Sequence, residues 1–214
     1  MTDIDFLKKV TLSIYPLTDE EWLDYLEVWK PYSCKRKNCL TAVGQREDYL
    51  YFITEGLQRI FYEDQDKEAT LVFTYPHSFG GILDSFMLES PANYSFESLT
   101  NSSFLRTSRD DLEKLAQKHP GISRFLLLGV SAALSGVLER QVELQTFSSE
   151  EKFRKLLQRS PHILQLVPHK YLANYIGIDP TNFSKLMNKV KLLQRLSPKK
   201  ALTSIVRCIG RPYP

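Results

Sequence analysis

Between residues 32 and 108 the chain repeats one pattern: a short β-rich run, a turn, and another run about ten residues on. The runs are NCLTAV, YLYFITEG, LQRIFYED, ATLVFTY, NYSFESL and SSFLRTS. β-branched and aromatic side chains fill them and turn residues separate them, which is the pattern of short antiparallel strands. DQDK at 64–67 reads as a hairpin turn between two of them. This regular spacing predicts an antiparallel barrel or jelly roll.

Helical texture flanks the strands. TDEEWLDYLEVW at 18–29 opens on a capping box, Thr18 with Glu21, carries Trp22, Leu26 and Trp29 on one face, and meets Pro31 as its stop. RDDLEKLAQKHP at 109–120 reads as another helix. A long helix then runs from about residue 122 to 144. On it Leu127, Val130, Leu134, Val137, Gln141 and Leu144 step by 3, 4, 3, 4, 3, a heptad seam. Phe125, Leu128 and Ala132 give it a second apolar face. A helix apolar on two faces has to bury both, so the expectation is one face on the sheet and the other on a second copy. Ser148 and Glu151 form another capping box, opening a helix with Phe153, Leu156 and Leu157. The predicted fold class is α+β: an N-terminal antiparallel β-roll with flanking helices and a dimerisation helix over 1–146, then a helix-turn-helix domain over 147–214.

That last assignment rests on HKYLANYIGIDPTNFSKLMN at 169–188. Leu172 and Ile176 face inward on the first helix, and Ala173 is small where two helices cross. Gly177 supplies the positive φ of the turn, Ile178 plugs the gap, and Asp179 caps a helix with Pro180 at its first position. Phe183, Leu186, Met187 and Val190 make the buried stripe. The opposite face offers Thr181, Asn182, Ser184, Lys185 and Asn188, hydrogen-bonding or cationic groups without a carboxylate. Such a face suits base edges in a major groove. His169, Lys170, Lys189 and Lys191 flank it and suit phosphates.

Charge agrees. Residues 1–148 hold 15 Lys and Arg against 22 Asp and Glu, a net −7; residues 149–214 hold 13 against 3, a net +10. A compact basic segment on an acidic body points to a polyanion, and double-stranded DNA is the expected partner. Three cysteines, Cys34, Cys39 and Cys208, fit a reducing cytoplasm. MTDIDFLKKV has no signal-peptide pattern, and the longest apolar runs fall short of a membrane span, so no membrane partner is expected.

A β-roll, a long helix and a C-terminal helix-turn-helix in this order resemble the Crp/Fnr family of transcription regulators, over residues 15–191. The likeness is strongest in YLYFITEGLQRIFYED, FGGILDSF and VPHKYLANYIGIDPTNFSKL. It implies a homodimer on a two-fold related DNA site, acting on transcription and meeting RNA polymerase if it activates. The family's nucleotide cassette has Phe-Gly-Glu, whose Glu takes the ribose hydroxyl, and later Pro-Arg-Ser/Thr-Ala, whose Arg takes the cyclic phosphate. Here the arms are Phe79-Gly80-Gly81 and Pro91-Ala92-Asn93-Tyr94. No Lys or Arg occurs from Glu68 to Leu105, leaving His77 as the cation of that stretch. A phosphate buried without a charge-assisted donor is costly, so cyclic AMP is not expected to bind. The pocket is then vestigial or holds a neutral or apolar ligand against Phe86, Met87, Tyr94 and Phe96, although those aromatics read more readily as core than as a ligand box. The family's Arg-Glu pair at the start of the reading helix is Pro180-Thr181 here and its later Arg is Lys185, so the familiar target sequence does not carry over.

Other chemistries find little support. A four-cysteine iron–sulfur site is excluded within one chain, no cofactor or metal is expected, and Cys34-x₄-Cys39 is a redox pair only if its strands bring the thiols together. A jelly-roll oxygenase needs two His and a carboxylate; the β region holds only His77, with His119, His162 and His169 outside it, so no enzyme is expected. A sensor acting through protein partners is the alternative function. LLQRLSPKKALTSIVRCIGRPYP at 192–214 either continues the preceding helix or starts another at Ser197–Pro198.

Overall fold

The structure, a computed structural model, describes residues 1–65, 67–160 and 163–196, with side chains to Lys189 in the last helix. Expectations for Asp66, His162, Cys208, Ser197–Pro198 and the tail, and for the side chains of Val190 and Lys191, lie outside the described residues. The chain forms two compact units that meet in sequence at Leu138/Glu139.

In the first unit, α1 (Asp3–Ile14) and α2 (Asp19–Glu27) each start on a reciprocal capping box, Thr2 with Asp5 and Thr18 with Glu21. The sequence reading missed α1. It also ran α2 too far: the helix stops at Glu27, and Pro31 lies inside β1 (Lys30–Cys34). Then follow β2 (Cys39–Thr41), β3 (Tyr49–Glu55), β4 (Gln58–Asp64), β5 (Lys67–Thr74), β6 (Phe79–Gly80), α3 (Leu83–Leu88), β7 (Ser95–Ser98) and β8 (Ser102–Ser108). Two four-stranded antiparallel sheets result, ordered β1-β8-β3-β6 and β2-β7-β4-β5. The expected hairpin closes with Asp64 opposite Lys67. The remaining helices are α4 (Arg109–Lys118), the 27-residue α5 (Pro120–Thr146), α6 (Ser149–Arg159), α7 (Ile163–Leu166), α8 (His169–Tyr175) and α9 (Pro180–Leu196).

β3 explains why the first sheet needs helices. Its Leu50, Tyr51, Phe52 and Ile53 are all buried, so both of its faces are covered. Leu50 and Phe52 pack outward with Trp22, Tyr25, Trp29, Ile122 and Phe125. Tyr51 and Ile53 pack inward with Ile60, Phe96 and Phe104 to fill the roll. Strand alternation thus divides one apolar run between two cores.

The first turns of α5 complete the outer core through Ile122, Phe125 and Leu126. The second apolar face is shorter than expected: Ala132 is exposed, and so is every residue from Ser131 to Glu139. Leu127, Leu134, Val137 and Leu138 are each more than half exposed. One expectation is corrected here. By length and composition α5 is apolar enough to cross a membrane, because Gly, Ala and Ser dilute the leucines without adding charge.

In the second unit, α6 starts on the Ser148–Glu151 box and buries Phe153 and Leu156. The last turns of α5 belong to this unit. Glu143 pairs with Arg159, and Arg140 stacks 3.3 Å over the Tyr175 ring.

Candidate functional site

Two regions hold the residues singled out above. The first is the α8–turn–α9 hairpin. Gly177 has φ +62, its N–H reaches Asn174 O at 3.1 Å, and the Ile178 N–H reaches Ala173 O at 3.0 Å. These are the two bonds of a Schellman end, which needs a left-handed residue at this place. A Cβ on Gly177 would stand 3.3 Å from the Leu144 side chain. Leu144, expected in the seam, therefore lies beside this turn. The Asp179 carboxylate accepts from the N–H groups of Thr181 at 2.7 Å and Asn182 at 3.1 Å. Those bonds hold its pKa below the usual carboxylate value, Asn182 first and then Thr181.

Leu172, Ala173, Ile176, Phe183 and Met187 are buried, with Phe183 edge-on to Phe153 at 5.3 Å. Ile178 is half-buried. Thr181, Asn182, Ser184, Lys185, Asn188 and Lys189 are exposed on α9, as are His169 and Lys170 on α8. Ser184 donates to Pro180 O at 2.9 Å, and Lys189 pairs with Glu150 at 3.0 Å. The hairpin thus presents a polar and cationic face on a helix whose other face is fixed by packing.

The second region is the cassette between β6 and β7. Phe79 belongs to the outer core, meeting Phe52 at 5.4 Å and Phe125 at 5.7 Å. Gly80 is closely approached; a Cβ there would be 2.9 Å from Ile53 Cδ1. Gly81 has φ +124, and its Cβ would be 3.1 Å from Tyr49 O and 3.8 Å from Glu47 Oε2. In the second arm, Ala92 is buried and paired through both backbone groups with Gln45 and Gly44 at 2.8 Å. Pro91 bridges to Arg46, Asn93 is exposed, and Tyr94 packs on the roll interior.

Glu47, which sequence reading passed over, lies beside the first arm. It is buried, and its carboxylate accepts from Thr41 Oγ1 at 2.8 Å, Ile82 N–H at 3.3 Å and Tyr49 N–H at 3.3 Å. Its own N–H donates to Ser85 Oγ. Burial pushes its pKa up, opposed by these hydrogen bonds. A carboxylate already on the cassette's N–H groups opposes a phosphate there.

The residues expected about the pocket divide between core and surface. Phe86 lies in the outer core, as the core reading of these aromatics expects. Met87 is exposed. His77 sits in a turn at φ +67 with its ring stacked 3.5 Å on Phe6. The cation beside the roll interior is instead Arg106, one residue beyond the Glu68–Leu105 stretch. It stands opposite Tyr51 on β8, between the rings of Tyr32 at 3.9 Å and Tyr49 at 4.1 Å. Only the β3–β8 pairing reveals this. Cys34 and Cys39 lie on strands of different sheets; Cys34 shares a 2.8 Å hydrogen bond with Ser98 Oγ instead of meeting Cys39. Among the described residues no His/Cys/Asp/Glu group has metal-binding geometry.

Residues 33–119 match the family model of the cyclic nucleotide-binding domain. No curated protein matches the chain by sequence. Among solved structures it is similar to FixK2 from Bradyrhizobium japonicum, at TM-score 0.69 and 15% identity over 78% of this chain and 86% of that one. It is also similar to the c-di-GMP-responsive global regulator CLP of Xanthomonas campestris, at 0.59 and 16% over 82% and 92%. A third is a protein from Eubacterium rectale assigned to the Crp/Fnr family of transcriptional regulators, at 0.63 and 11% over 82% and 84%. At these identities the likeness is one of fold.

Proposed function

We propose that this chain, whose fold is that of Crp/Fnr-family regulators and whose residues 33–119 match a cyclic nucleotide-binding domain, is a cytoplasmic, homodimeric, DNA-binding transcription regulator that cyclic AMP does not control. The observation that carries the reading is the α9 surface. Phe183 and Met187 anchor the helix, while Thr181, Asn182, Ser184, Lys185 and Asn188 stand exposed on it. In a major groove Asn182 and Asn188 suit adenine edges, Lys185 suits guanine, and Thr181 and Ser184 suit either bases or phosphates. His169, Lys170 and Lys189 take phosphates that fix the register, Lys189 by exchanging its Glu150 partner.

Residues 1–146 form the sensing and dimerising part and 147–214 the DNA-binding part. The seam of exposed Leu127, Leu134 and Val137 with half-buried Val130 meets its counterpart in a second copy, and a two-fold dimer then reads a two-fold related site. The cassette arms Phe79–Gly81 and Pro91–Tyr94 keep the family's backbone path but not its nucleotide chemistry, since Gly81 and Ala92 bear no polar side chain and Glu47 takes the Ile82 N–H.

The test is fluorescence anisotropy on a duplex from upstream of the chain's own gene, beside a scrambled duplex, with and without cyclic AMP. Preference for the upstream duplex, unchanged by the nucleotide and reduced about tenfold or more by Lys185→Ala, is expected. Equal binding to both duplexes would remove the reading of α9, and a large gain with cyclic AMP would remove the reading of the cassette.

A further inference from the structure

Two arginines lie on the strands, and their surroundings differ. Arg59 on β4 is buried and pairs with Glu97 at 2.5 Å and Glu68 at 3.1 Å. Arg106 on β8 is half-buried, and no carboxylate among the described residues lies within ion-pairing distance of it. Its guanidinium is held instead by the rings of Tyr32 on β1 and Tyr49 on β3, the two strands flanking β8. Tyr51 faces it across the sheet, and the far neighbour of Tyr51 is Gly80 of the cassette. Burial chiefly raises the Tyr51 pKa; Glu47 adds to that rise and Arg106 opposes it.

A guanidinium covered on its faces by aromatic rings keeps its N–H edge for a planar, bidentate acceptor. The rings also keep water off the faces, which strengthens attraction to an anion at the edge. A partly buried cation without a counter-charge is costly to hold, and a bound anion removes that cost.

We propose that the Tyr32–Arg106–Tyr49 group at the roll is an effector site for a small organic anion, whose carboxylate or phosphate group is taken along the Arg106 edge. The proposal rests on the reading of residues 33–119 as the sensing part, and it gives that part a ligand class other than the cyclic nucleotide. The anion sits on the Arg106 side of Tyr51, away from the Glu47 carboxylate. Binding there bears on Tyr51, and through Tyr51 on the Gly80–Gly81 segment and α3.

The test uses the full chain without DNA. Thermal unfolding and tyrosine fluorescence are followed against sodium acetate and, separately, inorganic phosphate, with sodium chloride holding ionic strength constant. A saturable response to at least one anion is expected, and the arm that saturates tells carboxylate from phosphate. Arg106→Gln should weaken it tenfold or more and Arg106→Lys less. Lys170→Ala and Lys185→Ala, which remove cations of the hairpin, should leave it unchanged. Tyr49→Leu keeps the charge and removes one ring; a severalfold loss is expected, and it serves if Arg106→Gln does not fold. No saturable response to either anion, or equal affinity in native protein and these Arg106 and Tyr49 variants, overturns the proposal. Anisotropy of Arg106→Gln on the upstream duplex separates the two readings: DNA binding retained while anion binding is lost leaves the regulator standing and assigns the anion site to Arg106.

Discussion

Glu47 directs both carboxylate oxygens at the chain's own groups, Thr41, Tyr49 and Ile82. Burial raises its pKa, so the folded chain holds the proton more tightly than the unfolded one. The sign follows from linkage: the stabilising contribution of the protonated form is full below the ordinary glutamate value of 4.5 and is lost as pH rises through the raised one. Glu47→Gln removes that loss. Its melting temperature relative to native protein should climb by a few degrees from about pH 4 to about pH 7. A difference that stays flat with pH would contradict the account. Neither Glu47 nor Arg106 was legible in the sequence. Each acquires its role through partners on other strands, Ile82 for one and Tyr32 with Tyr49 for the other. Gly177 and Asp179 were legible, because a Schellman end and an N-cap are built within a few residues of chain.

Among the elements, those with local signals were foreseen: the capped starts of α2 and α6, the hairpin of β4 and β5, and the turn between α8 and α9. β1 was hidden by Pro31, which reads as a helix stop but occupies an edge strand, where its missing N–H is tolerated. β6 is two residues long and exists only by pairing with β3. α5 was foreseen in extent, but its home-facing stripe ends near Leu128, well short of Ala132. The exposed remainder is uncharged from Ser131 to Leu138, which makes the helix apolar enough to cross a membrane and also suits the proposed dimer seam. Leu134→Asp tests the seam. Burying a leucine is worth about 1.5–3 kcal/mol, and a two-fold interface counts it twice. Dimer dissociation measured by analytical ultracentrifugation should weaken at least about a hundredfold, with the melting of the first unit little changed because Leu134 is 57% exposed. A dimer of native affinity would place the interface elsewhere.

For the whole molecule the relevant quantity is the division of charge, −7 over residues 1–148 and +10 over the rest. On the proposed DNA-binding reading, the acidic body discourages non-specific wrapping while the basic segment supplies contacts that release counterions. If two copies each engage Lys170 and Lys189, about four phosphates are neutralised, and affinity should fall roughly 10²-fold between 50 and 200 mM salt. Anisotropy titrations at several salt concentrations give the slope. A slope near zero would mean that these lysines touch no phosphate. The division of charge was plain in the sequence, whereas the layering of the two sheets was not, since strand order depends on pairings between residues as far apart as Lys30 and Arg106.

The backbone at Gly81 also governs which mutational routes are open. A one-residue change to glutamate would set a side chain on a φ of +124, with its Cβ 3.1 Å from Tyr49 O and its new charge facing Glu47. The strain and the repulsion arrive together, before any ligand is gained. Loss of Glu47 and a re-turned segment would each lower that barrier, so such a glutamate is easier to gain after them than before.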